Sequence, residues 1–171
     1  VSTFKSGIDY LDLRTGKARH ILITFKEGLK KGYNTIELLR PKLFVDNDGI
    51  LWIGLPSRGI YYYNPFNHQY KHINIVNDKP DDIIDAQNNS VFDIKNDKVN
   101  KDILWLATST GILSLNKKAH SISKFFRCLS PADSLGHQVK VNKLDVLNDS
   151  IIWFCNDLVG LGYYNIKNGV Y

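Results

Sequence analysis

This sequence predicts an all-β chain assembled from a repeated sheet, and three observations predict it. The first is a strand–turn–strand unit that recurs. It reads ILWIGLPSRGIYYYN at 50–64, ILWLATSTGILSLN at 103–116 and IIWFCNDLVGLGYYN at 151–165. An apolar run holding one Trp, a short polar loop carrying a Gly, and a second apolar run ending at Asn make two strands and a turn. The second observation is spacing. Trp52, Trp105 and Trp153 lie 53 and 48 residues apart, and Gly7, Gly59, Gly111 and Gly160 lie 52, 52 and 49 apart. A period near 50 residues with strand content marks a radial array. The expected fold is an incomplete β-propeller of about three to four blades, each a four-stranded antiparallel sheet. The third is composition. Nine Tyr, eight Phe and many Ile, Val and Thr favour strands.

The elements follow in chain order. Residues 1–23 read as part of a blade that starts just after its expected Trp, with strands Gly7 to Leu13 and Ala18 to Ile23 around a turn at Arg14 to Lys17. The first full blade is expected over 36–76, with Pro41 breaking or bulging its first strand. Asp46-Asn47-Asp48-Gly49 is its hairpin turn, Gly49 supplying a positive φ. The D-x-D-G pattern resembles the start of a calcium loop, but the later ligands of an EF-hand are missing. The next blade is expected over 90–128 and the last over 139–171, its outer strand incomplete. One slot holds Gly16, His68, His120 and Gly169, each four residues after the Asp or Asn that ends a strand. A slot shared by His and Gly predicts a turn with a left-handed backbone, not a metal site. Apolar residues on both faces, as in Tyr61-Tyr62-Tyr63, predict sheets covered on both sides.

Charge and cysteines exclude several classes. The net charge of +5 is scattered among acidic residues, without the focused basic face that nucleic-acid binding asks for. No apolar run approaches the ~20 residues that span a membrane as a helix, and no signal peptide is visible. No Met occurs, so the chain reads as a piece of a longer polypeptide. Cys128 and Cys155 have no metal spacing. Cys155 takes the slot of Gly54 and Ala107, a small residue where two sheets approach, and a disulfide to Cys128 is open only in an oxidising compartment.

The stretch Val45 to Asn64, with Asp46, Gly49, Leu51-Trp52-Ile53-Gly54, Gly59 and Asn64 in step, resembles the two-component regulator propeller repeat. The second copy keeps Leu104-Trp105, Thr108 and Gly111, and the third keeps Trp153 and Gly160; Leu55 stands where the repeat usually has Thr. The resemblance implies the periplasmic sensor region of a hybrid two-component system of gut Bacteroidetes. It implies stacked propellers that detect oligosaccharides and feed a histidine kinase. Its implied partners are an oligosaccharide or other small ligand, and the rest of the sensor chain.

Propeller ligands usually meet loops on one face. The candidates are Arg58, Ser109, Asn156 and Asp157 in the loops joining second to third strands, and Tyr33 and His137 between blades. Aromatic faces and planar hydrogen-bonding groups suit sugars. Trp52, Trp105, Trp153, Gly59, Gly111 and Gly160 are expected to be structural, because they recur within the repeat. No catalytic motif, phosphate loop or metal-spaced His pair occurs, so no enzyme activity, cofactor or metal is expected. A protein-interaction scaffold is the alternative. A streptogramin-lyase-like enzyme would need converging His and Glu, and Glu27 and Glu37 are the only Glu. Because each sheet buries its flank on a neighbour, three and a fraction blades predict completion by further chain or by a second copy, as a homodimer.

Overall fold

Fourteen strands form within residues 2–3, 7–21, 41–75, 89–127, 140–156 and 160–169, the residues that the computed structural model describes. They make four antiparallel meanders, here blades I to IV. Blade I contains β1 (Ser2–Thr3), β2 (Gly7–Leu11) and β3 (Ala18–Ile21). Blade II contains β4 (Lys42–Val45), β5 (Leu51–Gly54), β6 (Ile60–Tyr63) and β7 (Tyr70–Ile73). Blade III contains β8 (Val91–Asn96), β9 (Ile103–Thr108), β10 (Gly111–Asn116) and β11 (Ser121–Arg127). Blade IV contains β12 (Lys143–Val146), β13 (Ile151–Asn156) and β14 (Gly160–Asn165). No helix occurs among the described residues, and none is long and apolar enough to cross a membrane.

The blades stack side by side, with β8 touching both β4 and β12, so the first strands form a common inner edge. This is the arrangement of an incomplete β-propeller. Each core lies between two blades. Ile8 of blade I packs with Ile53, Leu55, Tyr61 and Tyr63 of blade II. Trp52 and Ile60 of blade II pack with Ile94, Leu104, Leu106 and Leu113 of blade III. Trp105 and Ile112 of blade III pack with Val141, Leu144, Ile152 and Phe154 of blade IV. Trp52 and Trp105 therefore face the following blade, and the residue after each faces the preceding one. Period-two side-chain alternation makes this division.

Blade III is covered on both faces, so β9 and β10 are buried almost throughout. Blade IV departs from that expectation. Its β12 reads Lys-Leu-Asp-Val and alternates between exposed and buried. Trp153 departs too: it is 39% exposed, against 2% for Trp52 and 3% for Trp105. Its face of the sheet has no neighbouring blade among the described residues.

Two local features explain the close stacking and the turns. Gly54 approaches blade III so closely that a Cβ there would lie 2.7 Å from the Val91 side chain. Ala107 holds the same slot fully buried, and Cys155 holds it half-buried as a free thiol. The shared turn slot is left-handed in all four blades, at φ 67° for Gly16, 59° for His68, 52° for His120 and 69° for Gly169. β4 begins one residue after Pro41, which cannot donate to a ladder. The expected start of that strand at Ile36 lies outside the described residues, as do Cys128 and the end of the chain.

Candidate functional site

Two sets of turns close the blades, at opposite ends of the strands. One end carries the turns joining second to third strands, which hold the sequence candidates Arg58 and Ser109, and Asn156 ends the matching strand of blade IV. Here the backbone is tied down. Ser57 N–H donates to Ser90 Oγ at 2.8 Å, Gly59 N–H to Asn89 O at 2.5 Å and Ser109 N–H to Ser90 O at 3.3 Å. The Arg58 carbonyl accepts from His72 Nε2 at 2.8 Å. Gly59 sits at φ 68°, where a Cβ would meet Ile73 O at 2.5 Å. Asn156 is buried. The structure thus aligns Arg58, Ser109 and Asn156 along one edge of three successive blades. The other three candidates, Tyr33, His137 and Asp157, lie outside the described residues.

The opposite end holds a cavity of about 290 Å³ between blades II and III. It is lined by the first turn of blade II (Asp46, Asp48, Ile50) and by Trp52, Tyr62 and Asn64 behind it. Blade III supplies Asp102, Lys117, Lys118 and His120. Asp46 organises the floor. Its Oδ1 accepts from the N–H groups of Asp48 and Ile50 at 2.9 and 3.0 Å, and its Oδ2 from Trp52 Nε1 at 2.8 Å. These bonds close the turn, which is what the D-x-D-G motif does here.

Lys117 reaches back from blade III into this turn. Its Nζ lies 2.7 Å from Asp48 and 3.2 Å from Asp46, with the side chain only 7% exposed. Burial pushes the amine down, but its hydrogen bonds to Asp48 and Asp46 outweigh that and hold its pKa above the ordinary value. The hydrogen bond from Lys117 holds Asp48 below the ordinary carboxylate value. Above this network His120 lies flat on Tyr62 of the preceding blade, ring centroids 4.6 Å apart and planes 12° from parallel. Burial, aided by the Lys71 charge, pulls the imidazole below its usual pKa. It is a neutral ring at pH 7.

The repeats separate scaffold from specialisation. The Asp-to-indole bond recurs as Trp105 Nε1 to Asp97 at 2.7 Å. The Lys118–Asp102 pair recurs as Lys167–Asp149, both at 2.7 Å. These belong to the blade. Lys117 does not recur, since Pro65 and Ile166 hold its slot. Nor does the Tyr62–His120 stack, because His68 instead bonds its own blade's Tyr63 hydroxyl at 2.8 Å. The groove was missed in the sequence because its two walls lie 50 to 70 residues apart; the unrepeated Lys117 was the available signal. Among the described residues no group of His, Cys, Asp or Glu is arranged to hold a metal.

No protein-family model matches the chain, and no curated protein sequence does. Solved structures do. The extracellular domain assigned to the hybrid two-component system BT3049 of B. thetaiotaomicron aligns over 99% of this chain with a TM-score of 0.63 and 21% identity. Two structures of the extracellular domain of BT4673 from the same organism align over 99% and 95% of the chain. Their TM-scores are 0.64 and 0.61, each at 16% identity. One is assigned to a one-component and the other to a hybrid two-component system. The chain has the fold of these extracellular domains. It spans about a fifth of their length: 19%, 19% and 18%.

Proposed function

We propose that this chain is a ligand-sensing propeller segment of a periplasmic two-component sensor, and that the groove between blades II and III takes a short oligosaccharide and relays its presence to a histidine kinase. The supporting observation is the neutral His120–Tyr62 stack beside paired polar groups in an open cavity. Flat ring systems present apolar faces to sugar C–H groups, while Asn64, Asp102 and Lys118 offer acceptors and donors to hydroxyls. A bound sugar would touch both blades and report on their relative position. The fold shared with extracellular domains of two-component systems agrees with that role. No part of the groove has the geometry of a nucleophile and base, so binding without turnover is the expected chemistry.

Calorimetric titration with defined oligosaccharides tests the proposal. His120→Gly keeps the left-handed turn and removes the ring, and Tyr62→Leu removes the shelf. Both should weaken binding about 3- to 10-fold, the scale of one lost aromatic contact, and Arg58→Ala on the opposite edge should leave it unchanged. Weakening by Arg58→Ala alone would move the site to the edge carrying Ser109 and Asn156. No binding by any oligosaccharide would leave a protein-interaction scaffold.

A further inference from the structure

The carboxylates of the groove between blades II and III are already engaged, and one of its cations is not. Asp46 is bound to the Trp52 indole, two turn amides and Lys117. Asp48 is bound to Lys117 and Asp102 to Lys118. Lys71 stands apart. It pairs with Tyr62 across β6 and β7, so its side chain leaves the sheet on the face that carries the His120 stack. It is exposed, with no ion-pair partner among the described residues, and its charge acts on His120. The ring nitrogens of His120 likewise have no hydrogen-bond partner among the described residues. A basic residue in this slot belongs to the blade: Arg19 opposes Tyr10 and Lys124 opposes Ser114 as Lys71 opposes Tyr62. Charge on an outer strand deters edge-to-edge pairing. What blade II adds is the imidazole of the following blade. After Arg19 the matching turn holds His68, which is bonded to Tyr63, and after Lys124 it holds Gly169.

We infer that the groove selects acidic saccharides, holding a carboxylate or sulfate between Lys71 and His120. This rests on the oligosaccharide reading above and adds the charge of the ligand to it. The anion accepts one hydrogen bond from the Lys71 ammonium and one from the ring N–H that a neutral imidazole keeps. The sugar ring bearing it then lies over His120, with its hydroxyls toward Asn64 and Lys118. A neutral sugar leaves Lys71 hydrated and gains nothing from it. An amino sugar brings like charge to Lys71 and is disfavoured.

Calorimetry with pairs of sugars that differ only in charge tests this. Trigalacturonate is titrated against its methyl ester, and a sulfated galactotriose against the unsulfated sugar. In at least one pair the acid should bind about fivefold tighter than its neutral counterpart, the scale of one exposed charge contact. Which pair shows the preference tells carboxylate from sulfate. The ratio should shrink toward one as salt rises from about 0.05 M to about 0.5 M. Lys71→Gln should abolish the preference, while Lys124→Gln, in the same slot of blade III, should preserve it. Equal binding within both pairs would overturn the inference and leave the oligosaccharide reading standing. A preference that survives Lys71→Gln would overturn it too, by placing the acidic group elsewhere. Binding of other neutral oligosaccharides but of neither acid would do the same, whereas binding of no saccharide would also remove the reading beneath it.

Discussion

Asp46 shows how one side chain can hold a repeat together. Its carboxylate closes its own turn, fixes the Trp52 indole and helps neutralise Lys117. Asp46→Ala would leave turn amides and an indole N–H without acceptors and would strip a buried ammonium of one partner. The expected loss is about 3–5 kcal/mol. Asp102→Ala, which removes only the exposed pair with Lys118, should cost ~1 kcal/mol or less. Urea unfolding midpoints check the contrast, and similar shifts for both would refute the organising role of Asp46. His120 gives a pH prediction whose sign follows from burial. Its folded pKa lies below the unfolded value of 6.5, so the unfolded chain takes the proton first. Stability should decline as pH falls below about 6.5 and level off beneath the folded pKa. The carboxylates of Asp12, Asp48 and Asp149, all lowered from 3.8, act only below that range. Lys117, raised above 10.5, keeps its contribution up to that pH and loses it only as pH climbs through the folded value. Thermal melts of His120→Asn, which tolerates the same backbone, should show a shallower decline between about pH 7 and 5 than those of the parent chain. An unchanged slope would assign the decline to another group.

At the scale of the element, one sequence motif gives two outcomes. Trp52 and Trp153 occupy the same slot of the same strand, yet one is enclosed by the next blade and the other faces outward. Trp52→Ala should therefore cost about 3–5 kcal/mol, while Trp153→Ala should cost about 1 kcal/mol, chiefly its contact with Tyr163. Equal costs in chemical denaturation would mean that blade IV's outer face is covered in solution. This pair also marks how far the sequence could be read. Blade identity, strand order and the left-handed turn slot were legible, because each repeats and each has a local physical cause. The fate of Trp153 was not, because burial depends on which sheet lies alongside. The first strand gave no signal either, because Asp-Ile-Lys-Asn at 93–96 in the covered blade III alternates as Lys-Leu-Asp-Val at 143–146 does. The candidate site was legible only in part. Arg58, Ser109 and Asn156 do fall along one edge, but the groove at the other end joins Tyr62 to His120 across 58 residues, and no local pattern announces such a pairing.

The whole molecule is a row of sheets in which each core belongs to two neighbours. Stability in such a row is a sum of blade and interface terms, and an inner member has two interfaces where an end member has one. Blade III has both faces buried: Leu104, Leu106 and Leu115 face blade II, and Trp105, Ala107 and Ile112 face blade IV. Blade IV buries Leu144, Ile152 and Tyr164 on one face and leaves Leu161 and Tyr163 on the other in solvent. Opening blade IV exposes only the III–IV core, whereas opening blade III exposes two cores at once. Native-state hydrogen exchange should therefore rank the strands. Amides of β9 and β10 should exchange slowest, at the rate set by global unfolding, and those of β14 should exchange faster through local opening. The groove lies on the II–III interface, so a ligand there should slow exchange in β6 and β10 and leave β14 untouched. Protection of β14 equal to that of β10 in the free chain would show that the blades open as one unit, and the additive description would fail.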